Sequence, residues 1–315
     1  MFKAKKVLVS AIALALLATT GIQSSTAAPR NQARAVVQAD WLEQNVDNPK
    51  VRIIEVSTEP GIYERGHIKN AAKIVWHTDL VDTVNRDIAS AKNFQKLAQK
   101  IGINKDTTIV LYGDKNNWFA AWGAWLFNIY GATDVRILDG GRVKWEKDGR
   151  ALTTAVPAFK AGNFTTRVAD KSLRATLLQD VLPVAKKRVK ADLIDIRGAD
   201  EFSGKIFAAP GFQELAVRAG HIPGAINVPW GQNVNADGTF KTVAELRKLY
   251  ADKGVDGKQN IITYCRIGER SSLTWFVLSE ILGYNVKNYD GSWTEYGNSV
   301  GVPINNPAGT IWGNS

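Results

Sequence analysis

The chain repeats itself. Arg65-Gly66-His67-Ile68, followed by Ala71 and Trp76, returns 154 positions further on as Ala219-Gly220-His221-Ile222, followed by Ala225 and Trp230. Ahead of that block, Ile53-Ile54-Glu55-Val56 answers Leu193-Ile194-Asp195-Ile196. Behind it, Thr108-Ile109-Val110-Leu111-Tyr112-Gly113 answers Ile261-Ile262-Thr263-Tyr264-Cys265, and Leu138-Asp139-Gly140 answers Tyr289-Asp290-Gly291. Four blocks in one order, twice over, mark a duplication. The 315 residues therefore divide into two domains of ordinary size.

Each copy predicts the same α/β unit. Short apolar, β-branched runs at 51–56, 107–112 and 134–138, and again at 192–196, 260–264 and 285–289, have the character of strands buried on both faces. Helical spacing lies between them. Phe94, Leu97 and Ile101 share one face, as do Val243, Leu246 and Leu249, with Thr242 and Glu245 placed as a capping box. Strands alternating with helices imply a mainly parallel sheet covered on both faces in each domain. The expected boundaries are a domain over 36–150, a linker over 151–172, a second domain over 173–305 and a tail over 306–315. The linker rests on Pro157, Gly162 and a lack of periodicity.

Residues 1–27 have the composition of a cleaved signal peptide. Lys3, Lys5 and Lys6 precede an apolar run from Val7 to Leu17, and Ser25-Thr26-Ala27 forms a cleavage site, so the mature chain is expected to begin at Ala28. The run is short for a membrane span and no second one follows, so the expectation is an exported protein without a membrane anchor, periplasmic or secreted. Losing the three lysines lowers the formal net charge from +10 to +7. That charge is spread without arginine-rich runs, which suits small anions better than nucleic acid. One cysteine excludes a disulfide framework and a thiolate-cluster metal site, and three histidines cannot build a zinc site unaided. No metal and no cofactor are expected.

An exported chain with one unpaired cysteine raises the question of its use. The run Ile261-Ile262-Thr263-Tyr264 leads into Cys265-Arg266-Ile267-Gly268-Glu269-Arg270, and a helical pattern begins near Ser271-Ser272 and ends at Gly283. Ligands of open parallel sheets bind beyond the carboxyl ends of the strands, where such loops enter helices. Unpartnered N–H groups and the helix dipole there favour an anion. Arg266 and Arg270 add two positive charges against one negative from Glu269. Together they predict a thiolate with a lowered pKa and a nucleophilic role for Cys265.

The six-residue loop from Cys265 to Arg270 resembles the active-site loop of the rhodaneses, the thiosulfate sulfurtransferases. Gly220-His221-Ile222-Pro223-Gly224-Ala225 and Asp290-Gly291-Ser292-Trp293 are similar to two further motifs of that family. The resemblance covers both copies and implies two tandem rhodanese-like domains, one inactive and one active. It implies that Cys265 carries the sulfur as a persulfide, taken from thiosulfate and passed to cyanide or a thiol. The amides of Ile267, Gly268 and Glu269 would cradle the anion, and Arg270 and Arg266 would bind sulfonate oxygens. Arg270 has a second reading, a structural pair with Glu201 or Asp195. Trp118 has two readings, a wall of the catalytic pocket across the domain interface, or core packing with Trp122 and Trp125.

The first copy has Gly113 where the second has Cys265, and Asp114-Lys115-Asn116-Asn117 replaces most of the loop. It cannot transfer sulfur covalently, and as the second wall of the cleft it makes a monomer sufficient. His67 and His221 occur in both copies and read as structural, as do Glu55 and Asp195. The Arg266 beside the cysteine points to thiosulfate over 3-mercaptopyruvate, for which the family tends to place small residues after the cysteine. Glu269, and Glu201 in place of a substrate-binding arginine, depart from the family pattern. A phosphatase with this fold would need Cys-x5-Arg, but position 271 is serine. A non-enzymatic persulfide carrier or binding module is the remaining alternative.

Overall fold

Five parallel strands make the first sheet and four the second. The computed structural model describes residues 34–213 and 215–313, so the signal-peptide and Ala28 expectations lie outside the described residues. The strands in chain order are β1 (Val36–Val37), β2 (Val51–Glu55), β3 (Ala72–Lys73), β4 (Val81–Asp82), β5 (Asp87–Ile88), β6 (Thr108–Tyr112), β7 (Val135–Leu138), β8 (Asp192–Asp195), β9 (Ile226–Asn227), β10 (Ile261–Tyr264) and β11 (Val286–Asn288). The first sheet runs β1-β7-β6-β2-β3 and the second β11-β10-β8-β9. The small β4–β5 hairpin stands apart and is antiparallel.

The duplication holds at the level of register. Glu55 of β2 lies opposite Tyr112 of β6, and Asp195 of β8 lies opposite Tyr264 of β10. Each tyrosine hydroxyl accepts an N–H from the histidine-motif isoleucine, Tyr112 from Ile68 and Tyr264 from Ile222. An aromatic ring stacks on each histidine, Tyr63 on His67 at 3.8 Å and Phe202 on His221 at 3.7 Å. Among the described residues the second sheet has no counterpart of β1. Residues 173–175 take its edge instead, Arg174 bridging to Asn288.

Both predicted helices form, and the second has its expected cap. Ala91–Lys100 is capped by Ser90, and Val243–Ala251 has Thr242 and Glu245 in a reciprocal capping box. Helix Trp118–Ile129 follows β6 and helix Glu269–Phe276 follows β10, so they occupy corresponding places in the two copies. They pack against each other. Trp118–Ile129 is apolar on nearly every side, as a helix buried between its own sheet and a second helix must be. One core runs through this contact, joining Trp122 and Trp125 of the first copy to Leu273, Trp275 and Phe276 of the second.

The segment expected as a linker contains no helix or strand, but it is packed down. Phe164 is buried against Phe94 and Phe127, Phe159 lies under the Arg52 guanidinium, and Thr153 pairs with His67.

Candidate functional site

Cys265 sits at the carboxyl end of β10, in the bend before helix Glu269–Phe276. Gly268 makes the bend with φ +99°, and a Cβ there would lie 2.6 Å from the Trp122 ring and 2.8 Å from Asp290 Cα. Both the backbone angle and the close approach require glycine. The loop is then tied from three sides. Trp293 and Thr294 donate their N–H groups to the Cys265 and Arg266 carbonyls, and Ser292 Oγ accepts from the Cys265 N–H at 3.1 Å. Arg86, at the β4–β5 hairpin of the first copy, donates to the Ile267 and Asp290 carbonyls. Arg174 holds the Asp290 carboxylate with two bonds of 2.8 and 2.9 Å and reaches Asp87 on its other side.

A buried polar network locks the first helical turn. Ser271 Oγ donates to Asn288 Oδ1 at 2.7 Å, Asn288 Nδ2 donates to Ser272 Oγ at 3.0 Å, and Ser272 Oγ donates to the Gly268 carbonyl at 2.8 Å. Thr263 of β10 joins it. With each member satisfied, such a network makes a rigid mount for the loop.

The Cys265 thiol is fully buried. The Gly268 N–H points at Sγ from 3.1 Å, and Sγ donates to Glu269 Oε2 at 3.3 Å. This corrects the expected lowered pKa. Burial first, and the Glu269 carboxylate second, push the Cys265 thiol up, against the opposing pull of Arg270 and the Ser271 and Gly268 amides. Counting loop charges failed because both guanidinium groups are committed elsewhere. Arg270 faces Glu201 in a two-bond pair, and Arg266 donates to the Gln213 carbonyl at 3.0 Å. Burial opposes the charge on Arg270, but Cys265, Glu201 and Glu269 outweigh it and raise its pKa.

Cys265, Arg266, Ile267, Gly268, Glu269 and Arg270 are thus together in one bend. Trp118 closes against the second copy, edge-on to Trp230 at 4.7 Å and 6.4 Å from Phe212. Trp122 is the tryptophan beneath the loop, at Gly268. The carboxylates at the sheet ends are internally paired, Glu55 with Arg142 and Asp195 with Arg197. His67 places its ring nitrogens on the Tyr63 and Ala155 carbonyls, and His221 Nδ1 lies on the Phe202 carbonyl.

Phe212 was missed by sequence reasoning. Its ring lies 5.1 Å from the Arg266 guanidinium and 5.5 Å from that of Arg270. A signal for it was present, because the offset between copies is 140 at Glu55 and Asp195 but 154 at His67 and His221. The second copy inserts 14 residues at this point, and they carry Phe212 and Gln213 over the arginines.

Comparison with known proteins agrees with the duplication. A family model described as a rhodanese-like domain matches twice, over residues 38–148 and 180–299. The chain is 53% identical over 271 residues to a Mycobacterium tuberculosis protein named "Putative thiosulfate sulfurtransferase", covering 85% of this chain and 96% of that one. It is 49% identical over 274 residues to the sulfur carrier protein TtuD of Thermus thermophilus, covering 85% and 95%. The crystal structure of SseA, a 3-mercaptopyruvate sulfotransferase of Escherichia coli, superposes with a TM-score of 0.70 at 28% identity, covering 82% of this chain and 98% of that one.

Proposed function

The chain belongs to the rhodanese family, and from that premise we propose that it is a thiosulfate sulfurtransferase working through a Cys265 persulfide. The family and its relatives place it among the sulfurtransferases, and the choice of donor is our reading. What carries that reading is the position of Sγ, buried at the strand end with the Gly268 N–H pointing at it from 3.1 Å, on a loop that also carries Arg266 and Arg270.

In the first half-reaction Cys265 attacks the outer sulfur of thiosulfate and sulfite leaves. The persulfide then meets a thiophile, cyanide or a thiol, which removes the sulfur and restores the cysteine, giving ping-pong kinetics. The Ile267, Gly268 and Glu269 amides are the proposed cradle of the anion. The sulfonate oxygens are assigned to Arg266 and Arg270, whose Nε groups have no hydrogen-bond partner among the described residues. Trp118 is proposed as the wall contributed by the first copy. One chain holds all of these, so a monomer suffices. We also propose that the first 27 residues direct export and that the mature chain starts at Ala28.

The test is to incubate the mature protein with thiosulfate, take its intact mass, and follow sulfite release with and without cyanide. One added sulfur on the wild type, absent in Cys265→Ala and discharged by cyanide with turnover, is expected. No added sulfur would move the donor to 3-mercaptopyruvate, the substrate in the name of the SseA relative. Sulfur accepted without turnover to small thiophiles would favour a carrier, as the name of the TtuD relative reads.

A further inference from the structure

Building on the sulfur-transfer reading of Cys265, we propose that Glu269 is a catalytic residue that takes the proton from the Cys265 thiol. Sγ lies between a donor and an acceptor, the Gly268 N–H at 3.1 Å and Glu269 Oε2 at 3.3 Å. The amide stabilises sulfur as an anion, and the carboxylate receives what the sulfur must lose to become one. Geometry of this kind, a base within hydrogen-bond reach of the proton, is the first requirement of general base catalysis.

The second carboxylate oxygen is the odder one. Oε1 of Glu269 is buried and has no hydrogen-bond partner among the described residues, with Arg270 Nε at 3.8 Å and Arg266 Nη2 at 3.9 Å. Those separations are charge attraction, not hydrogen bonds. A buried carboxylate oxygen left without a donor is destabilising, and such exceptions call for an explanation. Here both flanking guanidinium groups have partners outside the loop, so Glu269 is steadied without being neutralised by a direct bond. A carboxylate placed only to hold the loop would have taken those donors.

The step balances without any added reagent. As Sγ attacks thiosulfate, its proton passes to Glu269 Oε2 and a new Sγ–S bond forms from a sulfur lone pair. The S–S bond of thiosulfate breaks, and its electron pair leaves on sulfite. Glu269 then gives the proton to the departing group, which leaves as hydrogen sulfite. A neutral thiol and a dianion become an anionic persulfide and a monoanion, with one proton and two negative charges on each side.

The opposite role is that Glu269 only repels the thiolate. The two roles predict opposite signs for Glu269→Gln. The charged groups around the thiol are Arg266 and Arg270 on its own loop and helix, Glu201 behind Arg270, Asp290 with Arg174 across Gly268, Arg86 from the first copy, and the Asp195–Arg197 pair at the end of β8.

Two rates are to be followed against pH on the full chain, alkylation by iodoacetamide, which needs no sulfur donor, and single-turnover sulfite release from thiosulfate. Glu269→Gln is expected to slow both at neutral pH by about 100-fold or more, with the deficit closing as hydroxide takes over at high pH. Rates equal to or above wild type at neutral pH would overturn the proposal and leave repulsion as the role. If Glu269→Gln does not fold, Glu269→Asp, with its carboxylate drawn back by one methylene, carries the same comparison. Wild type that alkylates with this dependence yet releases no sulfite overturns the sulfur-transfer reading and leaves Glu269 as the proton acceptor. Normal sulfite release with unaffected variants overturns Glu269 alone.

Discussion

Arg270 and Glu201 meet as a two-bond pair, Nη1 to Oε2 at 3.1 Å and Nη2 to Oε1 at 3.2 Å, with both side chains almost wholly buried. Glu201 also accepts the Gly198 N–H at 3.1 Å, so its carboxylate caps its own helix, Ala199–Ser203, while it orients the arginine. The pair leaves Arg270 Nε without a hydrogen-bond partner among the described residues, 3.8 Å from Glu269 Oε1. Orientation of the guanidinium is thus set from outside the cysteine loop.

Removing one partner of a buried ion pair strands the other. Glu201→Gln is expected to cost about 3 kcal/mol of stability or more, read as a lower midpoint in urea with an unchanged slope. Replacing both residues by methionine should recover much of that stability while thiosulfate-dependent sulfur loading falls. Full loading by the double variant would show that Arg270 does not bind the donor.

Burial and Glu269 raise the Cys265 thiol above its ordinary value. The unfolded chain then releases this proton at lower pH than the folded one. The stabilising contribution is fully present below the ordinary thiol value and is lost as pH rises through the raised one. Wild type is therefore expected to lose stability relative to Cys265→Ser over that alkaline window, measured by urea unfolding at a series of pH values. The thiolate ultraviolet absorbance should grow in over the same window. A thiolate already present at neutral pH would show that the thiol is not raised.

Phe212 closes over Arg266 and Arg270, and Cys265 beneath has no exposed surface. Two cation–π contacts together contribute about 1–2 kcal/mol at a partly exposed site. In Phe212→Ala the inserted segment should open roughly tenfold more often, since 1.4 kcal/mol is a factor of ten. Alkylation of Cys265, followed by mass, should speed up by that factor. An unchanged rate would place the entry route elsewhere.

The strands that carry the site were legible because each is built on adjacent large aliphatic residues, Leu193-Ile194 and Ile261-Ile262. The expectations at 192–196 and 260–264 became Asp192–Asp195 and Ile261–Tyr264. Two-residue strands such as β3 and β9 were not legible, since two residues carry no period. The cysteine loop could be read from its own residues. The Arg270–Glu201 pair was one of the two readings the sequence offered for Arg270, but the hold on Arg266 was not legible, because Gln213 and Phe212 approach it from more than fifty positions away. The Ser271–Ser272–Asn288 network was equally hidden, being three ordinary polar residues until the fold buries them together.

The first copy lacks more than a sulfur atom. A Cβ at Gly113 would fall inside 3.0 Å of the Val56 carbonyl oxygen. The Gly113 N–H is already taken by Asn117 Oδ1 at 3.0 Å, where the corresponding Cys265 N–H meets Ser292. Lys115, Asn116 and Asn117 all hold positive φ, so the loop follows a different path from 265–268. Restoring the cysteine alone should therefore not restore a site. Gly113→Cys is expected to destabilise the chain by about 1–3 kcal/mol through overpacking. After thiosulfate treatment the intact mass should still show one added sulfur, and Gly113→Cys combined with Cys265→Ala should show none. A second sulfur would mean that the backbone at 113 yields easily, and that only the side chain separates the first copy from the second.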